Sequence, residues 1–127
     1  YLRVVAGVDP SFTVLSGEDS LFPLHVTAGA KGGIVVTANL LPRTWRRLFD
    51  LAASGKTQEA LALHRELIPL MNLAFAETNP GPMKSVMDMI DIDAPRVLMP
   101  LRQPKDELRN ALRKEYARLL ERFERIA

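Results

Sequence analysis

The sequence predicts an α/β fold, because two strand patterns flank a helix-length segment and only helical patterns follow them. "SFTVLS" (11–16) is rich in β-forming residues and ends at Gly17, and "GIVVTA" (33–38) is the second strand pattern. Both lack a clean polar face, which is typical of parallel strands covered on both sides. The segment between them, residues 20–28, is mainly apolar, with Pro23 in its first turn. Together the three segments predict a βαβ unit with a right-handed crossover.

After Asn39 the patterns are wholly helical. Pro42 suits the first position of a helix that ends at Gly55. The next helix is predicted to start with Thr57 as its cap and to run to about residue 77. Its apolar residues recur at helical spacing along one stripe: Leu63, Leu67, Leu70 and Ala74.

The remaining residues predict two further helices separated by turns. A short helix follows the break at 79–82 and runs to about Ile90, and a turn is expected at 92–95. Pro104 then opens a long terminal helix through Ala127.

Composition indicates an ordinary globular protein and excludes several classes of function. The 127 residues are 47% apolar and 25% charged, with a formal net charge of +2. That excess is too small for a nucleic-acid-binding protein. The absence of cysteine excludes disulfides, thiolate zinc sites and a cysteine nucleophile. No apolar run is long enough to span a bilayer and no signal peptide is visible, so we expect a cytoplasmic protein with no membrane partner.

Two parallel strands are too few to bury both faces of a sheet. A closed eight-stranded α/β barrel, the TIM barrel, takes about 250 residues. The chain begins at Tyr1 without an initiator methionine, and we expect it to be the last quarter of such a barrel. Residues 1–55 would form the last two βα units and residues 56–127 a C-terminal helical extension, together one incomplete domain. The upstream part of the barrel would come from the same or another chain. A small helical domain with a two-stranded ribbon is the alternative.

Five stretches, in order and in register, resemble the C-terminal part of the dihydrodipicolinate synthase family. They are "FTVLSGEDSLF", "GAKGGIVVTANLLP", "EALALHRELIPLMNLAF", "NPGPMK" and "RVLMPL". The resemblance covers essentially the whole chain and is strongest between Phe12 and Pro100. It implies strands seven and eight of the barrel, their helices, and the extra C-terminal helices of the family.

The resemblance also implies a chemistry. The family forms a Schiff base between pyruvate and a lysine, then joins or cleaves a carbon–carbon bond beside the imine. A buried lysine amine suits this role because burial lowers its pKa. The resemblance places that lysine and a catalytic tyrosine upstream of Tyr1. We therefore expect no catalytic residue in this chain, which alone would be inactive. Among the lysines present, Lys84 matches one that the family carries for structure.

The partners and cofactors follow from the same resemblance. The substrates would be pyruvate and a small aldehyde, within lysine biosynthesis. No cofactor or metal is expected beyond the covalent lysine–pyruvate imine. Family members assemble as oligomers, so we expect a homo-oligomer, with no nucleic-acid partner.

Four residues are predicted to line the substrate site. Gly17 follows the first strand, where the family uses the backbone to line the site; a plain turn is the alternative. Ile34 matches the isoleucine that lines the pyruvate pocket, and is also ordinary core. Glu18 and Asp19 lie where related enzymes contact the second substrate. Asp19 could equally cap the following helix, which we favour slightly.

Several other polar and aromatic residues favour structural roles. Asn39 ends the second strand and is expected in a turn. His25 and His64 lie in helices without a serine or acid at a catalytic spacing, which favours packing or surface roles. Trp45 shares a helical turn with two arginines, and we expect an anchored tryptophan on a solvated helix face.

The choice among related reactions depends on two positions. The sialic-acid lyase pattern has glutamate at Ser20 and serine at Val36, whereas Asp19 agrees with it. Because Val36 offers no hydrogen bond to a polyol, the sequence favours condensation of pyruvate with aspartate semialdehyde. Aldolases of keto sugar acids, including sialic-acid lyases, are the alternative within the superfamily. A non-catalytic helical interaction module is the alternative from another class.

Overall fold

The computed structural model describes residues 1–93 and 96–124, and the regular structure in these ranges is helical. The α-helices are α1 Leu2–Gly7, α2 Phe22–Thr27, α3 Pro42–Ala53, α4 Thr57–Ala74, α5 Gly81–Lys84 and α6 Asp106–Leu119. The 3₁₀ turns are Asp19–Leu21, Thr37–Asn39 and Met87–Ile90, and a π turn at Leu120–Glu124 continues α6.

The ends of α3 and α4 follow from proline and glycine. Pro42 occupies the first position of α3, where its missing amide hydrogen has no helical partner to lose. Gly55 follows that helix with a φ of +78°, a left-handed conformation that favours glycine. The predicted cap at Thr57 is wrong, because Lys56 occupies the cap position and Thr57 is the first helical residue. Helix α4 continues through Pro69 and ends at Ala74, three residues short of the expected end.

Helix α4 is the centre of the helical layer and packs against α2, α3 and α6. The predicted stripe is confirmed, since all four of its residues are buried. Three of these helices contribute leucines that are completely inaccessible to solvent, among them Leu48, Leu67, Leu70, Leu112 and Leu119. Burial of one such leucine contributes about 1.5–3 kcal/mol. The core is therefore shared between helices on both sides of residue 55, and the division into 1–55 and 56–127 stays a prediction.

The predicted fold class is wrong: the described residues contain no β-strand. The two expected strands meet in a single parallel bridge between Ser16 and Gly33. Around it, the Ser16 amide donates to the Gly32 carbonyl (2.9 Å) and the Ile34 amide donates to the Ser16 carbonyl (2.8 Å). Pairing along one edge over so few residues does not make a sheet, because a sheet needs further strands to be stable. The assignment of these segments to strands seven and eight of a TIM barrel is therefore withdrawn.

Glycine is required at the bridge itself. A Cβ on Gly33 would lie 2.6 Å from Cε2 of Phe22 and 2.9 Å from the Ser16 carbonyl oxygen. Any larger residue would push the second extended segment off both neighbours.

Two of the expectations extend beyond the described residues. The turn at 92–95 includes Ala94 and Pro95, and the terminal helix was expected to include residues 125–127; these five residues lie outside the described ranges. Within those ranges, none of the helices combines the length and the apolar character needed to cross a membrane.

Candidate functional site

A pocket of about 600 Å³ opens between the turn at residues 17–20 and the end of α4. The turn contributes one wall, and Val36 lies beside it. Helix α4 and the segment after it contribute the opposite wall, through Met71, Asn72, Phe75 and Asn79. The pocket therefore combines apolar walls with a few polar groups, which is typical of small-molecule sites.

Asp19 is a structural carboxylate and does not cap the helix. Its side chain accepts hydrogen bonds from the Val36 amide (2.9 Å), the Thr37 amide (2.8 Å) and the Thr37 hydroxyl (2.7 Å). Asp19 is 2% exposed and Thr37 is fully buried. Charge-assisted bonds to buried donors are among the stronger hydrogen bonds in proteins. Asp19 thus fixes the turn at 17–20 to the turn at 36–39.

His64 holds the same turn from the other side. It is 5% exposed, and its Nε2 lies 2.9 Å from the Asp19 carbonyl oxygen. Because a carbonyl oxygen only accepts, Nε2 carries the proton. The packing role expected for His64 is confirmed, and it anchors the pocket wall to α4.

Glu18 performs the capping role that was expected of Asp19. Its carboxylate accepts from the Ser20 amide (3.1 Å) and the Ser20 hydroxyl (2.6 Å), at the start of the first 3₁₀ turn. These bonds from Ser20, together with the positive potential of His25, lower the pKa of Glu18 below its ordinary value. An exposed, ionised carboxylate therefore lies at the pocket wall.

The structure brings three of the four predicted site residues together. Gly17, Glu18 and Asp19 all line the pocket, whereas Ile34 does not and is 78% exposed. A Cβ on Gly17 would meet no atom within 4 Å, so the described residues do not require glycine there. The substrate-binding roles of these four residues stay predictions.

Sequence reasoning missed a hydrogen bond between Ser16 and His25. The Ser16 hydroxyl oxygen lies 2.9 Å from Nδ1 of His25, although nine residues separate them. The imidazole also stacks on the Tyr1 ring, with centroids 3.8 Å apart. The view that His25 has no serine partner is therefore wrong. Ser16 is only 1% exposed, so this pair cannot present a nucleophile to a substrate.

The other singled-out residues have the structural roles expected of them. Trp45 is 4% exposed and packs edge-on against Phe22, while Arg46 on the same helix pairs with Asp50 at the surface. The Asn39 amide group donates to the Val36 carbonyl within its turn (2.9 Å). Lys84 donates to the Arg96 carbonyl (2.9 Å) and so joins α5 to the backbone at residue 96. The described ranges contain no cluster of acids and histidines that could hold a metal ion.

These observations define the class: a helical layer that carries a mixed polar and apolar pocket of small-molecule size beside two paired extended segments. The model of the dihydrodipicolinate synthetase family matches residues 1–121. The chain belongs to the dihydrodipicolinate synthetase family.

Individual relatives agree with this assignment. A 4-hydroxy-tetrahydrodipicolinate synthase from Methanococcus maripaludis strain C7 is 39% identical over 103 residues, which are 78% of this chain and 36% of that protein. One from Methanopyrus kandleri is 32% identical over 117 residues, 92% of this chain and 39% of that protein. The chain thus spans well under half the length of the curated relatives that it matches.

Solved structures show the same backbone arrangement. Dihydrodipicolinate synthase from Aquifex aeolicus is 34% identical and superposes with a TM-score of 0.83, over 95% of this chain and 40% of its own. The 4-hydroxy-tetrahydrodipicolinate synthase of Methylacidiphilum fumariolicum SolV is 30% identical, with a TM-score of 0.84 over 97% of this chain and 42% of its own.

Proposed function

We propose that the complete protein is a lyase that condenses pyruvate, held as a lysine imine, with aspartate semialdehyde. In this proposal the present chain supplies the wall of the second-substrate pocket. The lysine and tyrosine that perform the covalent chemistry belong to parts of the protein outside these 127 residues. The names of the relatives support the reaction, and a related synthase from Acinetobacter baumannii, 26% identical, is described in complex with pyruvate.

The observation that carries the choice of aldehyde is the ionised Glu18 carboxylate at the pocket wall. Aspartate semialdehyde bears an α-ammonium group, which an exposed carboxylate attracts and can accept hydrogen bonds from. The side-chain amides of Asn72 and Asn79 make no hydrogen bond within the described residues and offer donors to a ligand carboxylate. Apolar contacts from Val36 and Phe75 suit the short aliphatic chain between these charged groups.

An aldolase of keto sugar acids is the second candidate. Glu18, Asn72 and Asn79 could also bind hydroxyl groups, and Ser20 lies at the same wall. However, the Ser20 hydroxyl already donates to Glu18 at 2.6 Å, and Val36 presents no polar atom from its side chain. The pocket is therefore poorer in free hydroxyl-binding groups than a polyol requires.

Reductive trapping on the full-length protein tests the proposal. Borohydride with pyruvate should add one reduced pyruvate to a single lysine, seen as a mass increase of the intact protein. Turnover of aspartate semialdehyde should then exceed turnover of keto sugar acids. Failure to form an adduct would leave the non-catalytic helical module, whereas an adduct with faster sugar-acid cleavage would favour the second candidate.

A further inference from the structure

The hydrogen bond between Ser16 and His25 lies directly behind the pocket wall. Ser16 is buried beneath the turn that carries Glu18, and His25 is half-buried near the end of α2. Neither side chain lines the pocket, so neither contacts a substrate in the proposed function. Any effect on the pocket has to pass through the backbone of the turn.

The Ser16 hydroxyl is shared between His25 and Glu18. Its oxygen lies 2.9 Å from Nδ1 of His25 and accepts from the Glu18 amide at 3.3 Å. The Glu18 carbonyl oxygen is 3.4 Å away, within reach of the hydroxyl proton. A hydroxyl has one proton to donate and two lone pairs to accept with. It can therefore donate to His25 or to the Glu18 carbonyl, but not fully to both.

The presence or absence of a proton on Nδ1 decides between these two arrangements. When Nδ1 is unprotonated it accepts the Ser16 proton, and the Glu18 carbonyl loses its donor. When both ring nitrogens are protonated, Nδ1 donates to Ser16, and the hydroxyl turns its own proton to Glu18. Histidine is the side chain whose charge changes most readily near neutral pH, which makes it suited to a switch of this kind.

We infer that His25 is a positioning residue for the pocket: through Ser16, its protonation state sets how firmly the Glu18 backbone is held. The ring protonated on both nitrogens adds a hydrogen bond to the turn, and the neutral ring with its proton on Nε2 removes it. That the held carboxylate binds the second substrate rests on the proposed function. The coupling between His25 and Glu18 does not depend on it.

The groups that face His25 come from two neighbouring elements. The Tyr1 ring stacks on the imidazole, its hydroxyl donates to the His25 carbonyl (3.4 Å), and burial raises the pKa of that hydroxyl. Arg3 of α1 lines the same surface depression as His25. The Glu18 carboxylate contributes a negative charge near the imidazole, opposite in sign to Arg3. Because the pKa of Glu18 is lowered, its titration falls well below the range in which an imidazole changes charge.

Nuclear magnetic resonance of the full-length protein tests the coupling, with ¹⁵N-glutamate and ring-labelled histidine. The Glu18 amide signal, assigned by its loss in Glu18→Gln, should move with the same midpoint as the His25 ring signal. Ser16→Ala should leave the His25 titration in place and remove the matching step at Glu18. Ser16→Thr, which keeps the hydroxyl, should restore the step. His25→Gln should abolish it without any change at Ser16.

Two results would overturn the inference. One is a Glu18 amide that does not follow His25 in the unchanged protein. The other is a step that persists in Ser16→Ala, because the coupling would then be electrostatic and pass through space. Circular dichroism melts confirm that each variant is folded; if Ser16→Ala does not fold, Ser16→Val, which has the shape of Ser16→Thr without the hydroxyl, replaces it and should likewise lose the step. Pyruvate trapping is independent of this signal, so failure of the coupling and failure of the proposed function are distinguishable.

Discussion

The helical layer and the pair of extended segments bury their apolar residues very differently. Leu67 and Leu112 are fully inaccessible within the layer, whereas Leu15 and Ile34 on the extended segments are 45% and 78% exposed. Helices satisfy their own backbone and need only a partner for one stripe, which α2, α3, α4 and α6 provide for one another. Extended segments need neighbours on both edges for their hydrogen bonds. The difference teaches that apolar patterns alone do not determine burial; the available partners do.

The largest loss of stability is expected from a substitution in the helical layer. Leu67→Ala should destabilise the protein by about 2–5 kcal/mol, because it leaves a cavity where α4 meets its neighbours. Ile34→Ala is the matched control on the extended side, and in this chain it removes little buried area. Urea unfolding of the two variants measures the contrast. Equal losses of stability would show that the extended segment is packed as tightly as the layer.

The next largest loss of stability is expected where the two regions meet, at the hydrogen bonds between the Asp19 carboxylate and residues 36 and 37. Asp19→Asn should lower stability by about 1.5–3 kcal/mol, because an amide cannot accept all three hydrogen bonds and its own NH₂ then faces donors. Asp106→Asn changes the same group at an exposed site and serves as the control. Thermal melts at neutral pH report the difference. Asp19→Asn melting like Asp106→Asn would contradict the structural role of this carboxylate.

The smallest effect is at the surface, where Arg113 of α6 pairs with Asp88 through two bonds of 2.8 Å. The bond from Arg113 lowers the pKa of Asp88, so the pair stabilises the folded state above the ordinary aspartate pKa. That contribution is lost as the pH falls through the lowered value. Arg113→Gln should therefore lower the melting temperature slightly at pH 7 and leave it unchanged in strong acid. A larger drop in melting temperature in acid than at pH 7 would contradict the expected pH dependence of this ion pair.

Sequence patterns predicted the helices well, because helix signals are local. Pro42, Gly55 and the leucine stripe of α4 each act within a few residues of the position that they determine. The strands were predicted wrongly for the opposite reason. Whether "SFTVLS" and "GIVVTA" form a sheet depends on neighbouring strands, about which their own residues carry no information.

The candidate site could be located from the sequence, but its roles could not be assigned. Gly17, Glu18 and Asp19 were singled out together, and they do line one pocket. The sequence could not show that Glu18 caps the first 3₁₀ turn while Asp19 is the buried hydrogen-bond acceptor. Two adjacent acids look equivalent until the conformation of the turn determines which side chain is buried. The link from Ser16 to His25 was missed because it joins an extended segment to a helix nine residues away.

The most direct test of the central claim compares two aldehydes on the full-length protein with and without the Glu18 carboxylate. Aspartate semialdehyde carries the α-ammonium group, and succinic semialdehyde lacks it but is otherwise matched. Glu18→Gln should lower kcat/KM for aspartate semialdehyde about tenfold, the value of one charge-assisted hydrogen bond, and leave succinic semialdehyde nearly unchanged. An equal loss for both aldehydes, or no loss for either, would contradict the assignment of this pocket to the amino aldehyde.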